Sequence, residues 1–343
     1  MANYISNYQV KFQLNNDHLV GCLIGNAGKR RREIVKNTGT TVNITKNDVI
    51  INGPMNAVKE AEKIMMNIIN EHCFQADISN ELAGLVLGLG GQTIESIRSD
   101  TRAHISISPQ YDVEKTRKIE IIGRPIEFKS AKKQIFDKFE SKLRQDLQKE
   151  VPERCFRQFT ISEGRNKAHF VTDQLPPHPH LLYLQLKNLL SNKEEQYETE
   201  PLDTSEKQPP SCVSKNCGIL APFNKVFYRA QVLGIKRIDD QRLELLVKFV
   251  DFGNVGVVDF FQCKELKAKH LYPPQAIACK ISNIQQDGAW KEETLLLFRQ
   301  YLNNFTRNIQ IKVFKAVNSN ELATIDLIVG DTDIATMLVD SGV

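Results

Sequence analysis

Apolar and polar residues alternate over 8–14 (Tyr-Gln-Val-Lys-Phe-Gln-Leu), which predicts a strand with one buried face. An apolar stretch over 17–24 predicts a short helix, and a glycine-bounded loop and an amphipathic segment of about ten residues predict a turn and a second helix. β-branched residues over 41–44 and 49–51 predict two further strands. Pro54 then opens a long periodic segment, a place where proline is tolerated because the first N–H groups of a helix have no partner. The same succession returns as a strand over 73–78, a helix over 80–87, a glycine loop, a second helix, strands over 103–107 and 118–122, and a long helix opened by Pro125. Residues 23–44 read LIGNAGKRRREIVKNTGTTVNI and residues 86–107 read VLGLGGQTIESIRSDTRAHISI. Gly25 and Gly88 stand 63 residues apart, so the first half is two copies of one small domain.

After residue 150 the pattern changes. It predicts short strands over 156–161 and 167–171, a proline-rich turn (LPPHPH, 175–180) and a helix from about residue 181. The segment 191–212 is polar, acidic and poor in large apolar residues, which predicts an exposed loop. Strands follow over 226–234, 242–249 and 255–259, joined by turns at 238–241 and 251–254. A helix carrying 290–301, strands over 309–313 and 322–328, and a short helix over 334–338 complete the reading.

The length, 343 residues, suits two or three folding units. Apolar residues at 41% and charged residues at 25% exclude a disordered or fibrous chain. The longest uncharged windows, 82–94 and 174–186, hold four glycines and three prolines, so no bilayer span is expected in this chain, and the start lacks the pattern of a secretory signal. Seven cysteines without a Cys-x-x-Cys pair predict reduced thiols and no zinc site. Residues 1–150 hold 22 Lys and Arg against 18 Asp and Glu, so the net charge of +4 lies entirely in the repeated half. A polyanion partner is to be sought there.

The order β-α-α-β-β-α, with Gly-x-x-Gly between its helices and present twice, resembles the type I KH domain, with copies over 5–72 and 73–148. Glycines at both ends of such a loop let the main chain approach a phosphate, and the next helix presents free N–H groups and the positive end of its dipole. Gly25, Asn26, Ala27 and Gly28 lead into Lys29, Arg30, Arg31 and Arg32. Four cations at a helix start oppose the dipole, which makes an anion useful there. Arg31 stands where the second copy has Ile94. The second loop, Gly88, Leu89, Gly90 and Gly91, has no cation until Arg98 and Arg102, so weaker RNA binding is expected of it.

Phe227-Tyr228-Arg229-Ala230 and Phe249-Val250-Asp251-Phe252-Gly253-Asn254 resemble the signatures of a Tudor domain. The flanking strands resemble those of its extended type, a β-barrel joined to an OB-like, nuclease-like fold; it would occupy 152–343 with its core over about 216–275. The fold class expected is α+β and multidomain. Methylated arginine keeps its charge and loses hydrogen-bonding capacity, so its receptor uses aromatic faces. The resemblance implies a cage of Phe223, Tyr228, Phe249 and Phe252, with Asn254 on the guanidinium and Asp251 supporting the turn.

Two KH units followed by an extended Tudor unit resemble the Tudor and KH domain-containing protein family, called partner of PIWIs in insects. That resemblance implies a non-catalytic adaptor that binds single-stranded RNA such as piRNA precursors, and the arginine-dimethylated tails of PIWI-type Argonaute proteins. It also implies a trimming nuclease as partner, a role in piRNA 3' end maturation and gene silencing in germ cells, and a cytoplasmic location at the mitochondrial outer surface or in germ granules. A different reading is a general mRNA regulator whose Tudor module reads other methylated proteins. No cofactor is expected. The chain has no acidic cluster with metal-ligand spacing, no P-loop and no nucleophile–base motif, and His178 and His180 read as loop residues.

Overall fold

The structure, a computed structural model, describes residues 8–14, 17–46, 48–109, 116–149, 151–158, 160–161, 163–170, 181–186, 209–210, 213–224, 226–237, 239–284, 292–304, 309–315, 317–318 and 321–340. His178, His180, Trp290 and most of the acidic 191–212 segment lie outside these residues. Pro209 and Pro210, read from sequence as part of the exposed loop, are buried. The chain divides into two compact units, 1–141 with 239–242, and 142–238 with 243–343.

The first unit contains the repeat. Its first copy runs β1 (Tyr8–Gln13), α1 (Asp17–Ile24), α2 (Lys29–Thr38), β2 (Thr41–Ile44), β3 (Asp48–Gly53) and α3 (Met55–Asn70). The strands form an antiparallel sheet in the order β1-β3-β2, which places Val42 opposite Ile51 and Phe12 opposite Val49. Leu19, Leu23, Ile34, Val42, Val49, Ile51, Val58 and Met65 fill the space between sheet and helices. The second copy runs β4 (Cys73–Ser79), α4 (Asn80–Leu87), α5 (Gln92–Thr101), β5 (His104–Ile107), β6 (Thr116–Ile122) and α6 (Pro125–Asp146), in the equivalent sheet order β4-β6-β5. Ser79 caps α4 by accepting from Leu82 N–H at 3.3 Å. Both copies thus have the β-α-α-β-β-α order that the hydrophobic pattern predicts.

The second unit is built from β7 (Thr160–Ile161), β8 (Gly164–Phe170), β9 (Leu182–Leu186), β10 (Gly218–Phe223), β11 (Val226–Lys236), β12 (Glu244–Phe249), β13 (Val255–Asp259), β14 (Lys264–Glu265) and β15 (Ala276–Ile281). It continues with α7 (Glu292–Asn304), β16 (Ile309–Val313), β17 (Val317–Asn318), β18 (Ala323–Val329), β19 (Thr332–Asp333) and α8 (Ile334–Asp340). Strands β13-β12-β11-β10-β14 form one sheet. A second sheet, β15-β9-β8-β16-β18-β19, is closed into a ring by parallel pairing of β15 with β18. Ring strands come from both sides of the barrel segment, the arrangement expected of an extended Tudor fold.

Three expectations are corrected. The helix expected from about residue 181 is strand β9: Leu182 and Leu184 are buried in the ring core, and the strand pairs with β15 on one side and β8 on the other. The run Leu-Leu-Tyr-Leu-Gln-Leu suits either period, and ring closure selects the two-residue one. Among the described residues of the strand expected over 156–161, Thr160 and Ile161 form the strand, paired to β17, while Phe156 is buried in a cluster with Leu220 and Leu271. The barrel also has a strand, β10, before the three that the pattern picks out.

Candidate functional site

The two glycine loops share one backbone shape. In the first, Gly25, Ala27 and Gly28 have φ of 71°, 48° and 72°; in the second, Gly88, Gly90 and Gly91 have 70°, 59° and 82°. A Cβ on Gly25 would stand 2.6 Å from Arg30 Cβ, and one on Gly88 would stand 2.1 Å from Thr93 Oγ1. No side chain fits at either loop start, so the backbone stays bare where α2 and α5 begin. Gly25 N–H donates to the Gly21 carbonyl at 2.9 Å and Gly88 N–H to the Gly84 carbonyl at 2.9 Å, which anchors each loop to the preceding helix.

The loops differ in chemistry. Around the first, Arg30 donates to the Cys22 carbonyl at 2.6 Å and Arg32 to the Ala27 carbonyl at 2.9 Å. These bonds hold two guanidinium groups beside the loop backbone. Lys29 is exposed, 3.9 Å from Glu33. Arg31, at the position that Ile94 buries in the second copy, donates through Nε to the Val42 carbonyl at 2.8 Å. In the second copy the matching carbonyl, on Ile105, is capped by Arg98 from one turn further along α5, Nε at 3.1 Å. β2 and β5 are edge strands of their sheets, so an arginine covers the same outward-facing carbonyl in both copies. The sequence shows Arg31 only as a substitution for an apolar residue; its partner emerges from the fold. Leu89, at the tip of the second loop, is 88% exposed.

In the second unit the four aromatic residues singled out by sequence meet. Phe223 closes β10, Tyr228 lies on β11, Phe249 ends β12 and Phe252 lies in the following turn. Tyr228 meets Phe252 edge to face with ring centroids 5.2 Å apart, Phe223 meets Phe249 at 5.5 Å, and Tyr228 lies 6.5 Å from both Phe223 and Phe249. Phe249 is buried and the other three rings are half-exposed. Phe223 reaches the cluster because β10 and β11 form a tight hairpin that pairs Phe223 with Val226, with Asn224 left-handed at φ 47°. Phe227, next to Tyr228, points the other way and packs beside Phe156 and Leu266.

Asn254 is 6% exposed, and its Oδ1 is a buried acceptor with no hydrogen-bond partner among the described residues. Asp251 takes another role. It receives Arg229 Nε at 2.8 Å and Nη2 as the second arm of a fork, and accepts Gln275 N–H at 3.2 Å. Arg229 spends its remaining donors on the carbonyls of His270, Tyr272 and Pro273, and its guanidinium lies 3.4 Å from the Tyr272 ring centroid. This buried pair, satisfied on every side, fixes the turn that carries Phe252.

Sequence reasoning missed one support. Gly253 has φ 88°, and a Cβ there would fall 2.2 Å from Tyr183 ring carbons, so the turn rests on a ring supplied by β9. Burial pushes the Tyr183 phenol up, and burial pulls the Lys248 ammonium, 5.4 Å from that ring centroid, down. The misread helix at 181 hid this contact.

The KH domain family matches residues 9–67 and 74–137, and the Tudor domain family matches 156–283. The chain is a Tudor and KH domain-containing protein. KH and Tudor domains are binding modules rather than catalytic ones. A mouse relative, RING finger protein 17, is 28% identical over 150 residues; the match spans 41% of this chain and 9% of that protein. Similar solved structures include extended Tudor domain TD3 from mouse TDRD1, at 20% identity and TM-score 0.44, covering 55% of this chain and 95% of that one. Another is the Drosophila melanogaster Papi extended Tudor domain in complex with a Piwi N-terminal peptide, at 17% identity and TM-score 0.37, covering 52% and 97%. Among the described residues of this Tudor and KH protein, no helix is long and apolar enough to cross a membrane.

Proposed function

We propose that this protein is a non-catalytic adaptor that holds single-stranded RNA on its first KH loop and a dimethylarginine-bearing tail of a PIWI-type Argonaute in its aromatic cluster. The observation that carries the reading is the partnerless, buried Oδ1 of Asn254, in the same turn as one of four clustered rings. A buried acceptor left unsatisfied is costly, and a guanidinium N–H is the donor that a cage of rings would admit. On this reading Phe223, Tyr228, Phe249 and Phe252 enclose the methylated end, Asn254 accepts from its N–H, and Asp251 acts only through the turn. The ligand class is that of the Drosophila complex, a Piwi N-terminal peptide.

RNA is assigned first to Gly25–Asn26–Ala27–Gly28 with Lys29 to Arg32, and more weakly to Gly88–Leu89–Gly90–Gly91, which has no cation in the loop. Bringing an RNA and an Argonaute onto one chain is what piRNA precursor processing and 3' end maturation require. We extend the reading to that process, to a trimming nuclease as further partner, and to the germ-cell cytoplasm. The test is calorimetry with a symmetrically dimethylated Arg-Ala peptide and its unmethylated twin, and sequencing of RNA crosslinked to the chain in germ cells. Preference for the methylated peptide and enrichment of piRNA precursors are expected. Equal affinity for both peptides overturns the cage, and bulk mRNA in the crosslinks overturns the pathway.

A further inference from the structure

Helix α1 carries His18 and Cys22 four residues apart, which puts both on one face. His72, in the connection from α3 to β4, joins them: one ligand atom from each of the three residues lies within 4.8 Å of the other two. The imidazoles of His18 and His72 meet edge to face with centroids 5.8 Å apart. Only the fold makes this group, because His72 is fifty residues beyond Cys22 and no Cys-x-x-Cys pair flags it.

The tautomer of His72 is set by its surroundings. Its ring is buried, its carbonyl accepts Gly123 N–H at 3.1 Å, and its Nδ1 lies 3.0 Å from the Gly123 carbonyl. A carbonyl can only accept, so Nδ1 carries a proton, and Nε2 is the nitrogen left for a metal. Orientation of an imidazole by a backbone carbonyl on its far nitrogen is the usual support of a metal-bound histidine. We propose that His18, Cys22 and His72 form a binding site for a zinc-class divalent cation, with a fourth position open to water on the exposed His18 side.

The donor set is two nitrogens and one sulfur. It suits zinc and cobalt and disfavours calcium and magnesium, which take oxygen ligands. Around a tetrahedral zinc with bonds of about 2.0–2.3 Å, donors stand about 3.5 Å apart, and rotation of the exposed His18 side chain can close the remaining gap. Burial raises the Cys22 thiol above its ordinary range and Arg30 pulls it partly back, so the free thiol is protonated at neutral pH. Metal uptake forms one S–metal bond and releases that single proton to solvent. The loaded site would tie α1, which leads into the first glycine loop, to the His72–Gly123 clasp.

The test uses the full chain, stripped with chelator and titrated with Co²⁺ and then Zn²⁺. One equivalent of Co²⁺ is expected, with visible ligand-field bands and a near-ultraviolet thiolate-to-cobalt band, both bleached by Zn²⁺. Cys22→Ser should abolish the near-ultraviolet band, and His18→Gln, at an exposed residue that leaves the core untouched, should weaken binding about tenfold or more. Cys73→Ser, beside His72 but outside the group, should change neither. Absence of the thiolate band in the wild-type chain, its survival in Cys22→Ser, its loss in Cys73→Ser, or unaltered affinity in a folded His18→Gln would each overturn the site.

Discussion

At the scale of single residues, Asn254 separates a binding role from a structural one. If its Oδ1 waits for a ligand, Asn254→Ala removes a hydrogen bond to a charged group, about 1.5–3 kcal/mol or roughly 13- to 160-fold in affinity for the methylated peptide. It also removes a buried polar atom that nothing satisfies, so the melting temperature should hold or rise. A parallel fall in melting temperature and affinity would mean that the residue is structural. Phe252→Ala should cost about 0.5–2 kcal/mol of binding, roughly 2- to 30-fold, since it takes one ring from the cluster. Ala27 gives a complementary forecast. Its φ of 48° strains an alanine by about 1–2 kcal/mol, so Ala27→Gly should raise thermal stability, read as a higher melting midpoint in circular dichroism.

At the scale of elements, the glycine loops make a matched pair. Asn26→Asp with Ala27→Asp puts two carboxylates in a loop flanked by guanidinium groups at positions 30 and 32, and aspartate accepts left-handed backbone better than most residues. The expected result is loss of most RNA binding with the fold retained. The equivalent Leu89→Asp with Gly90→Asp should cost less, because no cation stands in that loop; filter binding at fixed salt would reject the asymmetry if the losses were equal. The repeat was legible because period and punctuation agree: α1, α4 and β2 have the bounds the pattern gives. β9 was not, since its leucines satisfy both periods and the choice is made by partners in β15 more than ninety residues away. The four clustered aromatic residues were visible as a motif. Their supports, Tyr183 and the Arg229 network, were not, because they join segments whose proximity no local pattern encodes.

At the scale of the whole molecule, charge is divided as the proposed labour is. The net charge of +4 resides in the first 150 residues, so RNA affinity should fall steeply with salt while peptide affinity changes little. With two to four phosphates neutralised around Lys29 to Arg32, the log–log slope should be about −1.5 to −3. A flat RNA curve across a salt series would remove the electrostatic case.

The ring that surrounds the barrel segment also sets a timetable. β8 and β9 are made before the barrel, yet β15, which pairs with β9, begins 90 residues after Leu186, and β18 is made later still. At about 5–20 residues per second, a ribosome leaves β9 without that neighbour for roughly 5–18 s. During that interval Leu182 and Leu184, later sealed in the core, are open to water and to other nascent chains. Nascent copies of this protein should therefore depend on holding chaperones in proportion to how slowly that 90-residue stretch is translated.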